Sequence, residues 1–156
     1  MTPLLLAAAT ALHALATIVF IGHYLLLSLL YLPVLATADT GRWAALSEVS
    51  KRSRSWLYVS LLVFFLTGFY LMLVDANYQG IGNFGSPWAV LMLVKHLVVL
   101  VMIGIGFYFN AVARVGPALR TRPGDAQTMA RFHSYVNMMS VSGVLVIVLT
   151  ALAQFA

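Results

Sequence analysis

The sequence has no cysteine, which removes disulfides, thiolate zinc or iron-sulfur sites and cysteine nucleophiles from its chemistry. Charge is nearly as scarce: 8% of the 156 residues are charged, against roughly 25% in a soluble domain. With 62% of the chain apolar, a water-soluble globule is ruled out. Carboxylates are the rarest charges. The four present, Asp39, Glu48, Asp75 and Asp125, all lie between apolar runs or at their edges. That argues against a carboxylate proton relay, a pump or a carboxylate-lined metal cage at membrane depth. The net charge of +5 would suggest nucleic acid in a soluble protein. Here the cations fall between spans and report topology, so no nucleic-acid partner is expected.

What remains is long apolar runs, and about 20 consecutive apolar residues suffice to cross a bilayer. Four spans are expected, at about 3–36, 56–74, 88–115 and 132–155, in a single all-α domain with the lipid bilayer as its surroundings. The first run is longer than one membrane thickness, so it must tilt, project, or stop near Pro33. It has an apolar stretch and small residues like a signal peptide. With no basic n-region, and apolar character continuing past any cleavage point, it is expected to remain as a span.

Trp56 and Trp88 open their spans where interfacial aromatics belong. The connection 39–55 carries Arg42, Lys51, Arg52 and Arg54, and the next basic stretch carries Arg114, Arg120, Arg122 and Arg131. The connection 75–87 has three glycines, Pro87 and no cation. The positive-inside rule therefore puts both basic connections in the cytoplasm and both termini outside, in a membrane of the bacterial inner-membrane kind. Short connections favour an antiparallel up-down four-helix bundle.

A polar side chain in lipid is costly unless satisfied, so the few within the spans are the functional candidates: His13, His23, Lys95, His96, Asn110, His133 and Asn137. Counted at 1.5 Å per residue, His13 and His96 lie at similar depth, on spans taken to run in opposite directions. His23 lies roughly 15 Å further in, where His133 is its expected counterpart. Two imidazole pairs suit the axial positions of one or two haems. Equally, each His can simply hydrogen-bond a neighbouring helix.

Lys95 either snorkels toward the outer interface and Asp75, or pairs with an anion such as a haem propionate. Arg131 is the corresponding propionate partner for an inner haem. His133, Asn137 and Ser140, with Gly143 beyond, form one stripe for a close helix contact, and Gly104 and Gly106 allow the same. Met92 shares a helical face with His96, and Met72 lies in the same half. Thioether plus imidazole is a copper(I) set, although methionine also fills apolar cores.

The segments Leu12-His13-Ala14, Ile21-Gly22-His23 and Leu32-Pro33 resemble the opening helix of the copper-resistance D (CopD) family and of HemJ-type protoporphyrinogen oxidases. Trp88, Leu93-Val94-Lys95 and Asn110 resemble their third span, and Val144-Leu145 with Val148-Leu149-Thr150-Ala151 fits the CopD-like fourth. The resemblance implies a four-helix membrane unit handling haem b, porphyrinogen or copper, with His13 and Lys95 matching the HemJ-type functional His and Lys. The sequence departs from that pattern at Phe20, where Trp is typical, and in its extra histidines His23, His96 and His133.

These departures favour a cytochrome-like reading. The expectation is a b-type haem membrane protein, an electron-transfer subunit or small oxidoreductase exchanging electrons with a quinol or a partner protein, alone or within a larger membrane complex. The alternatives are a copper-binding or copper-transporting protein and a cofactor-free accessory subunit.

Overall fold

Pro33 tests how the first span crosses the membrane, because a proline ring collides with the carbonyl four residues back. In the computed structural model, which describes residues 3–36, 40–80, 82–109 and 125–156 (side chains of 35–50 excepted), the helix does not stop there. Helix α1 (Pro3–Leu26) passes into a π-helical turn (Leu27–Tyr31) and then into α2 (Leu32–Ala36). The Leu32 N–H reaches back five residues to the Leu27 carbonyl. This wider turn, just ahead of the ring, lets the rod continue past Pro33.

The second helix, α3, spans Thr40–Val74. Its span was expected to open at Trp56 after a basic loop, but the connection from Thr40 onward is helical. The segment contains no proline, and a helix standing in water beyond the bilayer needs no apolar run to persist. The membrane-crossing part is Lys51–Val74. Asp75 then turns the chain, its carboxylate accepting the Asn77 N–H at 2.9 Å. Gly80 and Gly82 carry φ of 98° and 94°, a region costly for other residues.

Helix α4 (Pro87–Phe107) starts with proline in its first turn, while the Ser86 hydroxyl caps the Ala89 N–H at 3.2 Å. Trp88, expected at the lipid interface, is instead 4% exposed, whereas Trp56 is 70% exposed. Asn110 and Arg114, Arg120 and Arg122 lie outside the described residues. Helix α5 (Ala126–Leu152) begins six residues before the expected boundary, because Asp125 caps it by accepting from the Thr128 N–H (2.8 Å) and hydroxyl (2.6 Å).

All four rods are long and apolar enough to cross a membrane, and large apolar side chains such as Leu62, Leu66, Leu100 and Val141 face outward. The protein is an all-α membrane bundle of four packed helices. Packing is extensive between α1 and α3, between α4 and α5, and between α1 and α5; no comparable contact joins α1 to α4 or α3 to α4 among the described residues. The fully buried core comes from the α1-to-α2 rod and α5, including Ile21, Tyr24, Leu32, Val136 and Met139, with Met102 from α4.

The α1–α5 seam is antiparallel and polar along one edge. Ile21 sits against Gly143, the Ser140 hydroxyl donates to the Tyr24 carbonyl at 2.8 Å, and the Ser28 hydroxyl donates to the Asn137 amide oxygen at 2.7 Å. The Tyr24 and Tyr135 hydroxyls are 2.7 Å apart in the core. The stripe from Asn137 to Gly143 is thus a helix-packing face, as its spacing suggested. Gly104 and Gly106 are not used in that way, since a Cβ at either would meet nothing within 4 Å.

At Gly143 an added Cβ would lie 2.7 Å from Ile21 Cγ2. Gly143→Ala is therefore expected to cost about 1–3 kcal/mol by overpacking. Adding Ile21→Ala should recover most of that loss in a double-mutant cycle of detergent-induced unfolding. Independent, additive losses would show that the seam does not close at this point.

Candidate cofactor site

Four helices converge on a small cavity lined by Phe20 and Ile21 of α1, Leu61 and Phe64 of α3, Val99, Met102 and Ile103 of α4, and Val146 of α5. Every lining residue is apolar. The volume of about 10 Å³ is room for roughly one water, which would find none of the 2–4 polar partners it needs. This cavity fixes the register of the polar residues around it. His13 lies seven residues before Phe20, and Lys95 and His96 lie seven before Met102 and Ile103. Seven residues are close to two turns, so all three stand on cavity-facing sides of their helices, roughly 10 Å toward the end that carries the 75–86 connection.

The expected depth match of His13 with His96 therefore holds, but the helices do not run in opposite directions. α1 and α4 are the first and third members of an up-down series, and residue numbers rise together along both. Nor do the two rings meet directly. His13 lies on α3, stacked on Phe64 (ring centroids 4.6 Å apart, planes 22° apart), with Nδ1 3.0 Å from the Thr67 hydroxyl. That hydroxyl also lies 2.6 Å from the Val63 carbonyl, and the Phe64 carbonyl is a further, backbone partner of the His13 ring. His96 folds back on its own helix, Nδ1 2.6 Å from the Met92 carbonyl, which can only accept.

The His96 imidazole is thereby held as the Nδ1–H tautomer with the lone pair on Nε2, the state of a histidine that ligates a metal while a carbonyl orients its other nitrogen. Lys95 completes the layer. Its side chain leans toward the N-terminal end of α4, as helical side chains do, and its ammonium is near enough to both His13 and Asp75 to interact electrostatically with each. One turn beyond Thr67, the Tyr70 hydroxyl is buried without a hydrogen-bond partner among the described residues.

Gly68 is the member of this layer that sequence reasoning missed. A Cβ there would stand 2.9 Å from His13 Cε1, so the ring occupies the space a side chain would take. An isolated glycine in an apolar helix gives only a weak signal of such a contact.

The other candidates lie elsewhere. His23 meets the edge of the Tyr24 ring (5.4 Å, 80°). Extending the α1–α5 register puts His133 level with Tyr31, about eight residues, roughly 12 Å, beyond His23, so the two do not share a level. Arg131 is exposed near the start of α5. Among the described residues no three His, Asp or Glu side chains cluster as a metal site. Comparison with protein-family models, with curated proteins and with solved structures gives no match for this chain.

The donor chemistry at His13 and His96 fits haem iron, which takes neutral imidazole nitrogens. The closed cavity below is far too small for a macrocycle. In ¹⁵N-histidine NMR, His13 and His96 are expected as Nδ1–H tautomers. Thr67→Val should release His13 from that state and leave His96 unchanged. An Nε2–H signal for His13 in the unsubstituted protein would overturn the assignment.

Proposed function

We propose that the chain is a membrane-embedded haem b protein serving one-electron transfer, with His13 and His96 as the ligand pair. The observation that carries this reading is that His13 and His96 stand at one depth on the cavity-facing sides of α1 and α4, each with Nδ1 bonded on its own side of the bundle. Haem bound there would supply the redox chemistry. The chain supplies the rest: Thr67 and the Met92 carbonyl orient the rings, Phe64 covers one face of His13, and Lys95 offers an ammonium to a propionate. The resemblance of the His13 and Lys95 segments to HemJ-type and CopD-like proteins adds to this reading. The unequal levels of His23 and His133 favour one site over two. A quinol or a redox protein is the proposed electron partner.

Purified protein is expected to show reduced-minus-oxidised haem bands and one haem per chain by pyridine haemochrome. His13→Ala and His96→Ala should each abolish the bis-imidazole spectrum, while His133→Ala leaves it intact. Bound copper without haem would replace this reading by a His and Met copper site that includes Met92. Neither cofactor, after reconstitution with hemin and with copper(I), would remove both.

We also propose that the basic end faces the cytoplasm, because eight of the nine Lys and Arg residues, all but Lys95, fall at that end of the spans. A periplasmic-type reporter fused after Ala156 is expected to be active. Activity of a cytoplasmic-type reporter there would invert the arrangement.

A further inference from the structure

Phe64, Thr67 and Gly68 stand at i, i+3 and i+4 and so share one face of α3. Each meets a different part of the His13 ring. The Phe64 ring lies against its face, with centroids 4.6 Å apart and planes 22° apart. The Thr67 hydroxyl stands 3.0 Å from Nδ1, and its own bond to the Val63 carbonyl at 2.6 Å fixes where that oxygen lies. Gly68 leaves the gap that takes the Cε1 edge, since a Cβ there would lie 2.9 Å from Cε1, 3.5 Å from Nδ1 and 3.9 Å from Nε2. A histidine that only ties two helices together needs the hydroxyl alone. The parallel ring and the missing side chain add control of the ring plane. His96 has no counterpart: its Nδ1 bond goes to the Met92 carbonyl of its own helix, and no aromatic ring contacts it among the described residues.

We propose that this face of α3 is an imidazole socket, which makes Gly68 a positioning residue for the His13 ligand and leaves the two ligands unequal. The ligand role rests on the haem reading; the socket does not, because all its contacts lie within the chain. A bond from imidazole to a metal depends on where the Nε2 lone pair points, so the element that sets the ring plane sets the ligand. At Gly68 the obstructing atom is the tip of a rotatable side chain. The cheapest response to a methyl group there is for the ring to swing out while the helices stay packed.

The test has one arm without cofactor and one with it. In the full chain, labelled with ¹³C,¹⁵N-histidine and held in nanodiscs, the Phe64 ring current is expected to move the His13 ring protons upfield. Phe64→Leu should erase that shift directly and Gly68→Ala by displacing the ring, with His96 unchanged in both. Gly104→Ala is the control, because a Cβ there meets nothing within 4 Å. With hemin bound, Gly68→Ala should change the g values of the low-spin electron paramagnetic resonance signal. Free imidazole should restore that signal in His13→Gly and not in His96→Gly at the same concentration. Adding Gly68→Ala to His13→Gly should weaken imidazole binding about tenfold. Circular dichroism checks that each variant keeps its helices. A His13 shift that survives Gly68→Ala in a folded chain, or equal imidazole rescue at both positions, overturns the proposal. Failure of the unsubstituted chain to take up hemin counts against the haem reading alone, and the upfield shift then decides the socket by itself.

Discussion

Within lipid no hydrophobic effect presses one apolar helix against another, so a bundle must be held by close contact and by hydrogen bonds between its helices. In this protein both act along the α1–α5 seam. Gly143 lets Ile21 approach its backbone, Ser140 and Asn137 each take a partner from the α1 rod, and the Tyr24 and Tyr135 hydroxyls meet in the core. α3 is held through α1, and α4 through α5. A bundle assembled from two hairpins through one seam leaves α1 and α4 facing each other without touching extensively.

That separation gives the histidine layer its character. His13 and His96 are each bonded to something on their own side of the gap, Thr67 for one and the Met92 carbonyl for the other. Among the described residues, no hydrogen bond joins the two rings to each other. Gly68 supports the arrangement from beneath, since a side chain there would displace the His13 ring that its neighbour Thr67 orients. The polar stripe and small residue on α5 thus carry packing, while the polar residues of α1 and α4 bond within their own halves of the bundle.

The spans and their number were legible in the sequence because apolar length is a strong signal that lipid enforces everywhere. Helix ends were less so. Thr40–Ser50 carries no long apolar run, yet the helix there is continuous with the span that follows. Depth matching worked for His13 and His96, whose spacings to the cavity are equal, and did not bring His23 to His133. The first rod runs on through Pro33 to Ala36, so the basic end lies further from His23 than a helix broken at Pro33 would place it. Glycine was ambiguous for a physical reason: Gly68 and Gly104 both sit in apolar helices, and only the space an added Cβ would find, filled by His13 in one case and open in the other, tells them apart.

The cavity between the histidine layer and the basic end has one further consequence. It is lined only by apolar side chains and has room for about one water, so it offers no hydrogen-bonded path for a proton. The Lys95 ammonium interacts instead with Asp75, at the end opposite the basic connections. An electron needs no such chain of polar groups. The polar layer of His13, Lys95 and His96 thus lies on one side of an apolar core that includes Phe20, Phe64 and Met102.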